Sequence, residues 1–174
     1  MHFPARPLFC RAALALLLLG LGACTPTFNW RQVKADPAPA TVLMPCKPER
    51  GERRVAMTEA GVDLHLMRCE TGGLTFALAW ARLAPEDDRE VVLQRWHRAS
   101  LTSWQAAETE LLPAPFDARS GLRHRWQGTG RSHEGAPLPL RAAYFVQGDW
   151  VYQALIAGAP RSDEPVTTFL DSLQ

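Results

Sequence analysis

Residues 74–83 read Leu-Thr-Phe-Ala-Leu-Ala-Trp-Ala-Arg-Leu, an apolar stretch with a period of two. Bulky residues alternate with small ones, namely Leu74, Phe76, Leu78 and Trp80 against Thr75, Ala77, Ala79 and Ala81. This alternation predicts a β-strand with a bulky face and a flat face. Because small side chains allow close approach, we expect a helix or another strand to pack on the flat face.

Further strands are predicted on both sides of this stretch. Turn residues separate short apolar runs at 41–44, 53–57 and 62–69, and in the last run Val62, Leu64 and Leu66 are expected to share one face. After the central part of the chain come a short strand at 122–126, a loop at 128–139, and a hairpin of 140–147 with 150–157. Gly148-Asp149 forms the two-residue turn of that hairpin.

Two helices interrupt this pattern. Pro85 with Glu86, Asp87 and Asp88 predicts the first turn of a helix that runs from about residue 90 to 110 and stops before Pro113 and Pro115. Its apolar stripe comprises Val92, Leu93, Trp96, Ala99, Ser100, Ser103 and Trp104. A second helix begins at 162–165, with Val166, Phe169, Leu170 and Leu173 on its apolar face. The predicted class is α+β, an antiparallel sheet with one central and one C-terminal helix.

The N-terminus has the features of a secretion signal. Arg6 and Arg11 precede an apolar run from Ala12 to Leu21 that is too short to span a bilayer. Leu21-Gly22-Ala23-Cys24 resembles the lipobox of bacterial lipoproteins, which implies a signal peptide at 1–23 and a lipid on Cys24. Thr25 is not acidic, and the resemblance then implies the inner leaflet of the outer membrane, with the domain facing the periplasm. Acyl chains on Cys24 would anchor the protein to that membrane.

The remaining chain is predicted to form a short tether at 24–27 and one domain at 28–174. Residues 28–40 leave two possibilities open, because Pro37 and Pro39, with Pro26 just before, favour an extended arm whereas 28–33 alternates like a strand. The whole chain has 174 residues, 47% hydrophobic and 21% charged, with a formal net charge of +1. This composition is typical of a globular domain and argues against a nucleic-acid partner.

Cysteine usage predicts one disulfide. Cys10 leaves with the signal and Cys24 takes the lipid, so Cys46 and Cys69 remain in an oxidising compartment. Each follows a predicted strand, which allows pairing at bridging distance. The alternative is two separate buried thiols.

No pattern in the sequence predicts catalysis, a metal or a cofactor. The histidines and cysteines lack metal-ligand spacing, and no Gly-x-Ser-x-Gly turn is present. Ser132, His133 and Glu134 are the only clustered hydroxyl, imidazole and carboxylate, but neighbours on a loop seldom face one another. We therefore predict that the protein is not an enzyme.

Two features could contact a partner. Arg119, Arg123, Arg125 and Arg131 form the only local basic enrichment. They could be a solvated strand edge or a site for an anionic envelope component such as lipid A phosphate. Trp30, close to the lipidated terminus, could contact the membrane surface or another protein.

The order of elements, together with Val42-Leu43-Met44-Pro45, Gly135-Ala136-Pro137 and Tyr152, resembles the PsbP-like fold of small bacterial lipoproteins. Pro45-Cys46-Lys47-Pro48 and Arg68-Cys69-Glu70 are similar to segments of uncharacterised proteobacterial lipoproteins. The resemblance implies an accessory or assembly factor without an active site. The expected function is thus a non-enzymatic binding domain for an envelope partner. The alternative is a periplasmic enzyme or ligand carrier that uses residues 119–134, with His124, His133 and Glu134 as participants.

Overall fold

The computed structural model describes residues 26–106, 111–112 and 121–174, and this part of the chain is α+β. In chain order its elements are β1 (Arg31–Lys34), β2 (Thr41–Met44), β3 (Glu49–Val55), β4 (Val62–Thr71), β5 (Leu74–Arg82), α1 (Arg89–Ser103), β6 (Leu111–Leu112), β7 (Leu122–Arg131), β8 (Pro137–Gln147), β9 (Trp150–Ala157) and α2 (Glu164–Leu170). The signal segment, Cys24, Pro113, Pro115 and Arg119 lie outside the described residues.

The main sheet is antiparallel throughout, in the order β3-β4-β5-β9-β8-β7-β6. Six of these strands have seven or more residues, and the two-residue β6 extends one edge. The predicted β8–β9 hairpin is confirmed, with Gln147 opposite Trp150. The last strand in sequence, β9, therefore lies inside the sheet, next to β5.

Both faces of the sheet are covered, which gives three layers. Phe76, Leu78 and Trp80 of β5 point into a core closed by β1, β2 and α2. Ala79 and Ala81 point into a second core closed by α1, where they meet Leu93 and Trp96. The prediction that another element covers the alanine face of β5 is confirmed.

Residues 28–40 belong to the fold. β1 pairs with β2 over four residues, and Ala35, Ala38 and Ala40 in and after the connecting turn are fully buried or nearly so. Phe28 and Trp30 pack against the same core. The apolar alternation at 28–33 therefore outweighs the extended preference of the prolines, and the extended-arm alternative is wrong.

Helix α1 begins after its predicted first turn at 85–88 and ends earlier than predicted. Asp88 is its N-cap, with a carboxylate oxygen that accepts hydrogen bonds from the backbone N–H groups of Glu90 and Val91. The acidic residues 86–88 thus precede the helix and do not form its first turn. At the other end Gln105 has a φ of 48°, so the backbone leaves the helix at Ser103. Ala99 and Ser103, expected in the stripe, are exposed.

The loop predicted at 128–139 is mostly strand. β7 continues to Arg131 and β8 begins at Pro137, leaving only a short turn. A Cβ at Gly130 would lie 2.6 Å from the carbonyl oxygen of Trp104, so this glycine admits the end of α1 against the strand. That oxygen accepts a 2.8 Å hydrogen bond from the backbone N–H of Arg131. A close tertiary contact, not a turn, explains the glycine.

The edge strand β3 also departs from the expectation. It spans Glu49–Val55, whereas the prediction began at Arg53 and continued to Met57. In its neighbour β4, Met67 and Cys69 point into the core, while Leu66 is 37% exposed. Val62 and Leu64 of β4 contact the second core, as their apolar period predicts, whereas residues 49–54 of β3 meet solvent and no apolar period marks them.

Candidate functional site

Cys46 and Cys69 form a disulfide, as predicted from the cysteine count. Their Cα atoms are 5.9 Å apart, and the bond joins the segment after β2 to the end of β4. It therefore ties the covering layer of β1 and β2 to the main sheet. The alternative of two separate thiols is wrong.

The N-terminal segment is attached to the sheet close to this disulfide. The hydroxyl of Thr71 donates a hydrogen bond to the carbonyl oxygen of Thr27, and the ring of Phe28 lies over Gly72. Trp30 is half-buried, with its ring centroid 6.1 Å from that of Phe76, so most of its contact is with the core and part stays accessible. The fold thus begins at Thr27, three residues after Cys24.

The predicted candidate His124 meets a second histidine beneath α1. His97 of α1 and His124 of β7 have ring centroids 5.4 Å apart, and His124 stacks on Tyr144 of β8 at 4.4 Å. Burial lowers the pKa of His124 below 6.5, the neighbouring His97 lowers it further, and Glu90 opposes the shift in part. Neutral imidazole is therefore the favoured state in this packing.

A hydrogen-bonded network continues from this cluster into the core. The side-chain amide of Gln153 donates to the Ser100 hydroxyl at 2.8 Å and to the Tyr144 hydroxyl at 2.6 Å. Burial raises the pKa of Tyr144, although hydrogen bonds oppose that shift. These polar groups join α1 to β8 and β9, since buried polar atoms are stable when they are paired. The Ser100 hydroxyl is therefore occupied by its hydrogen bond with Gln153.

The other candidates for chemistry are separated from this network. The Ser132 hydroxyl accepts a hydrogen bond from the backbone N–H of Ala136 in the β7–β8 turn, and His133 and Glu134 are exposed there. His65 stacks on Trp80 at 5.5 Å, with its Nδ1 3.2 Å from Glu52. Among residues 26–106, 111–112 and 121–174, no group of three or more His, Cys, Asp or Glu residues could hold a metal ion.

The predicted basic cluster is divided by the fold. Arg125 forms an ion pair with Asp171 at the end of α2, and Arg131, at the far end of β7, donates to the carbonyl oxygen of Gly135. Arg119 lies outside the described residues, and Arg123 is located only by its place in β7. Arg125 and Arg131 therefore do not share one patch.

Arg125 instead shares a groove with Arg141 of β8, which the sequence prediction did not include. Arg141 is 2.7 Å from Asp163, and Gln127 pairs with Arg141 across the two strands. The groove has a volume of about 260 Å³ and runs between α2 and β7–β8, with Val166 and Leu170 on its apolar side. Two guanidinium groups and an amide thus line one concave surface.

Comparison with known proteins gives no relative. No protein-family model matches the chain, and no curated protein matches it. Within the part of the chain that the structure describes, no helix is both long enough and apolar enough to span a membrane.

Proposed function

We propose that this protein is a lipoprotein of the bacterial outer membrane whose domain binds an envelope component without catalysing a reaction. Lipid on Cys24 would anchor it, with the domain in the periplasm. The docking of Thr27 and Phe28 on the β4–β5 turn carries the proposal. Residues 25–27 then form the whole connection from Cys24 to the docked Thr27, about 10 Å at roughly 3.3 Å per residue, so the domain would lie against the lipid surface.

Two further observations support this location. The Cys46–Cys69 disulfide is typical of proteins that mature in an oxidising compartment. Leu21-Gly22-Ala23-Cys24 supplies the attachment point. The order of strands and helices also supports a PsbP-like domain, a class of small accessory proteins, as the finer assignment.

The groove beside α2 is the binding surface that we propose, with an anionic envelope component as its ligand. The guanidinium groups of Arg125 and Arg141 are each planar, and their N–H donors fit phosphate or carboxylate oxygens. The partner of Arg141 is open to competition, because the side chain of Asp163 is 79% exposed and exposed ion pairs contribute only about 0–1 kcal/mol. An anion could therefore replace Asp163 at small cost.

Labelling with an alkyne fatty acid and membrane fractionation test the anchor. Wild-type protein should carry label in the outer-membrane fraction, and Cys24→Ala should lose it. The matched control is Thr25→Asp, which keeps the cysteine but places an acidic residue after it; this variant should keep the label and move to the inner membrane. Label that survives Cys24→Ala would contradict the proposal.

Binding is tested with lipid A as the anionic probe. Calorimetry on purified protein should show saturable binding that the double variant Arg125→Gln/Arg141→Gln loses. Arg98→Gln removes an exposed arginine from α1, on the opposite face, and should bind like wild type. Equal binding by all three proteins would show that the groove is not the site.

A further inference from the structure

The edge strand β3 presents a free edge of the main sheet. Among the strands of the described residues it pairs with β4 alone, and residues 49–54 are all exposed. At its centre Gly51 has open space around it, with no atom within 4 Å of where a Cβ would lie. An uncovered edge offers unpaired backbone N–H and C=O groups to another strand.

The sequence of this edge is complementary in charge to itself. Residues 49–53 read Glu-Arg-Gly-Glu-Arg. When a second copy lies antiparallel with Gly51 opposite Gly51, Glu49 faces Arg53 and Arg50 faces Glu52, and both pairs occur twice. We propose that two copies of this chain associate through β3 in this register, forming one continuous sheet. This inference goes beyond the proposed function.

The charges disfavour the neighbouring registers. A slip of one residue in one direction places Arg50 opposite Arg53, and a slip in the other direction places Glu49 opposite Glu52. Opposite charges across neighbouring strands stabilise pairing, whereas like charges directly opposite destabilise it. Charged edges usually prevent association, but here the order of charges forms four opposite-charge pairs when Gly51 lies opposite Gly51.

The side chains on this edge are available for the contact. The side chain of Arg53 is exposed. Oε2 of Glu49 lies 3.4 Å from Nη2 of Arg68, and Oε2 of Glu52 lies 3.2 Å from Nδ1 of His65. Each carboxylate therefore keeps its other oxygen for a second cation. Arg50 uses one Nη to donate to the carbonyl oxygen of Lys34, and its other donors are free to reach Glu52 of a second copy.

The symmetry of such a dimer is compatible with two membrane anchors. Antiparallel pairing in one continuous sheet places the two-fold axis perpendicular to the sheet, so both copies present the same face on the same side. Phe28 packs into the core beneath β1, β2 and α2, so both N-terminal segments leave from that face. Both Cys24 residues would then point toward one bilayer.

Cysteine crosslinking in intact cells tests the register. The two-fold axis brings the Gly51 Cα atoms to about 4.5–5.5 Å, a distance that a disulfide spans. Gly51→Cys should therefore run at twice the monomer mass on a non-reducing gel. In the control Arg53→Cys, equally exposed, the two cysteines lie four residues out of register, about 13 Å apart, and should not crosslink. No dimer with Gly51→Cys, or equal dimer with both, overturns the proposal.

A charge reversal and a compensating double substitution test whether opposite-charge pairs hold the two edges together. Sedimentation of purified wild type should show a concentration-dependent dimer, and Arg53→Glu, which sets two Glu–Glu pairs across the edge, should weaken it about tenfold or more. The double variant Glu49→Arg/Arg53→Glu restores opposite charges and should restore the dimer. Arg161→Glu, an exposed reversal elsewhere, should have no effect. A monomeric wild type, or a double variant as weak as Arg53→Glu, overturns the proposal.

Discussion

Gly72, in the β4–β5 turn, is the residue on which the N-terminal segment rests. Its φ of +61° is unfavourable for other residues, and a Cβ would lie 2.8 Å from Cζ of Phe28. We therefore expect Gly72→Ala to lower the free energy of unfolding by about 1–3 kcal/mol, measured by urea denaturation.

The neighbouring glycine provides the control for this substitution. Gly73 also has a positive φ, +74°, but nothing lies within 4 Å of the position of its Cβ. Gly73→Ala should therefore destabilise less, and the difference measures the contact with Phe28. Equal losses would show that backbone strain alone accounts for the effect.

His124 should make the stability depend on pH. Burial and His97 hold its pKa in the folded protein below 6.5, the value expected in the unfolded chain. As the pH falls through 6.5 the unfolded chain takes up a proton first, so the free energy of unfolding decreases until the lower, folded pKa is passed. Urea denaturation at pH 7.5 and 5.5 should show this loss.

Substitution separates His124 from the other titrating groups. His124→Phe keeps a ring for stacking on Tyr144 but cannot titrate, so its loss of stability between the two pH values should be smaller than that of wild type. His133→Gln, at an exposed position, should behave like wild type. A pH dependence unchanged in His124→Phe would contradict this assignment.

The polar cluster around His124 shows the limit of prediction from single residues. Ser100 was expected on the buried stripe of the helix and is buried, but its partners could not be predicted. Gln153 and Tyr144 come from strands some fifty residues away in sequence, and only the sheet order brings them under α1. The Cys46–Cys69 pair was predictable because the count left one combination.

At the level of elements, the disulfide links β2 to β4 across the layers. It closes a loop with a sequence separation of 23 residues, and on the chain-entropy account this contributes about 3 kcal/mol. Cys46→Ala/Cys69→Ala should lower the free energy of unfolding by that amount. Alkylation of denatured, unreduced wild type should label neither cysteine. Labelling of both would contradict the bond.

Each helix is held by one large aromatic anchor. Trp96 of α1 packs edge-on against Tyr144, and Phe169 of α2 packs edge-on against Phe76. Trp96→Ala and Phe169→Ala should each reduce the free energy of unfolding by about 3–5 kcal/mol, because each leaves a cavity. Val91→Ala, on α1 but 40% exposed, should change it by less than about 0.5 kcal/mol. A small effect of either aromatic substitution would show that its layer repacks.

Elements whose side-chain period follows contact with a core were predictable, whereas strands at the edge of the sheet were not. β5, the β8–β9 hairpin and the apolar face of α2 follow their side-chain periods because each contacts a core. β3 carries five charged residues in seven and lies at the edge of the sheet. Its bounds are therefore defined by its pairing with β4 and not by an apolar period of its own. The prediction began a loop at Gly128, inside β7, and the role of Gly130 is visible only when α1 is in place.

At the scale of the whole molecule, the three layers give the domain an orientation. β1, β2, α2 and the N-terminal segment cover one face of the sheet, and α1 covers the other. β9 ends beside the β4–β5 turn, where a Cβ on Gly158 would lie 2.7 Å from the carbonyl oxygen of Gly73. The exposed loop at 158–163 therefore lies at the same end of the sheet as Thr27.

A short tether should hold the face covered by β1, β2 and α2, with the loop that leads into α2, near the membrane and keep α1 away from it. Adjacent layers pack about 10 Å apart, so the outer surface of α1 is roughly 20 Å further from the bilayer than the layer of β1, β2 and α2. A fluorophore on Ser162→Cys should therefore be quenched strongly by a quencher carried on lipids in reconstituted vesicles. The same fluorophore on Val91→Cys should be quenched weakly, although both positions are accessible. Adding Cys24→Ala should abolish quenching at both positions, because the domain then leaves the vesicle. Equal quenching at both positions with the anchor intact would mean that the domain tumbles freely, and the tether would then have to be longer than residues 25–27.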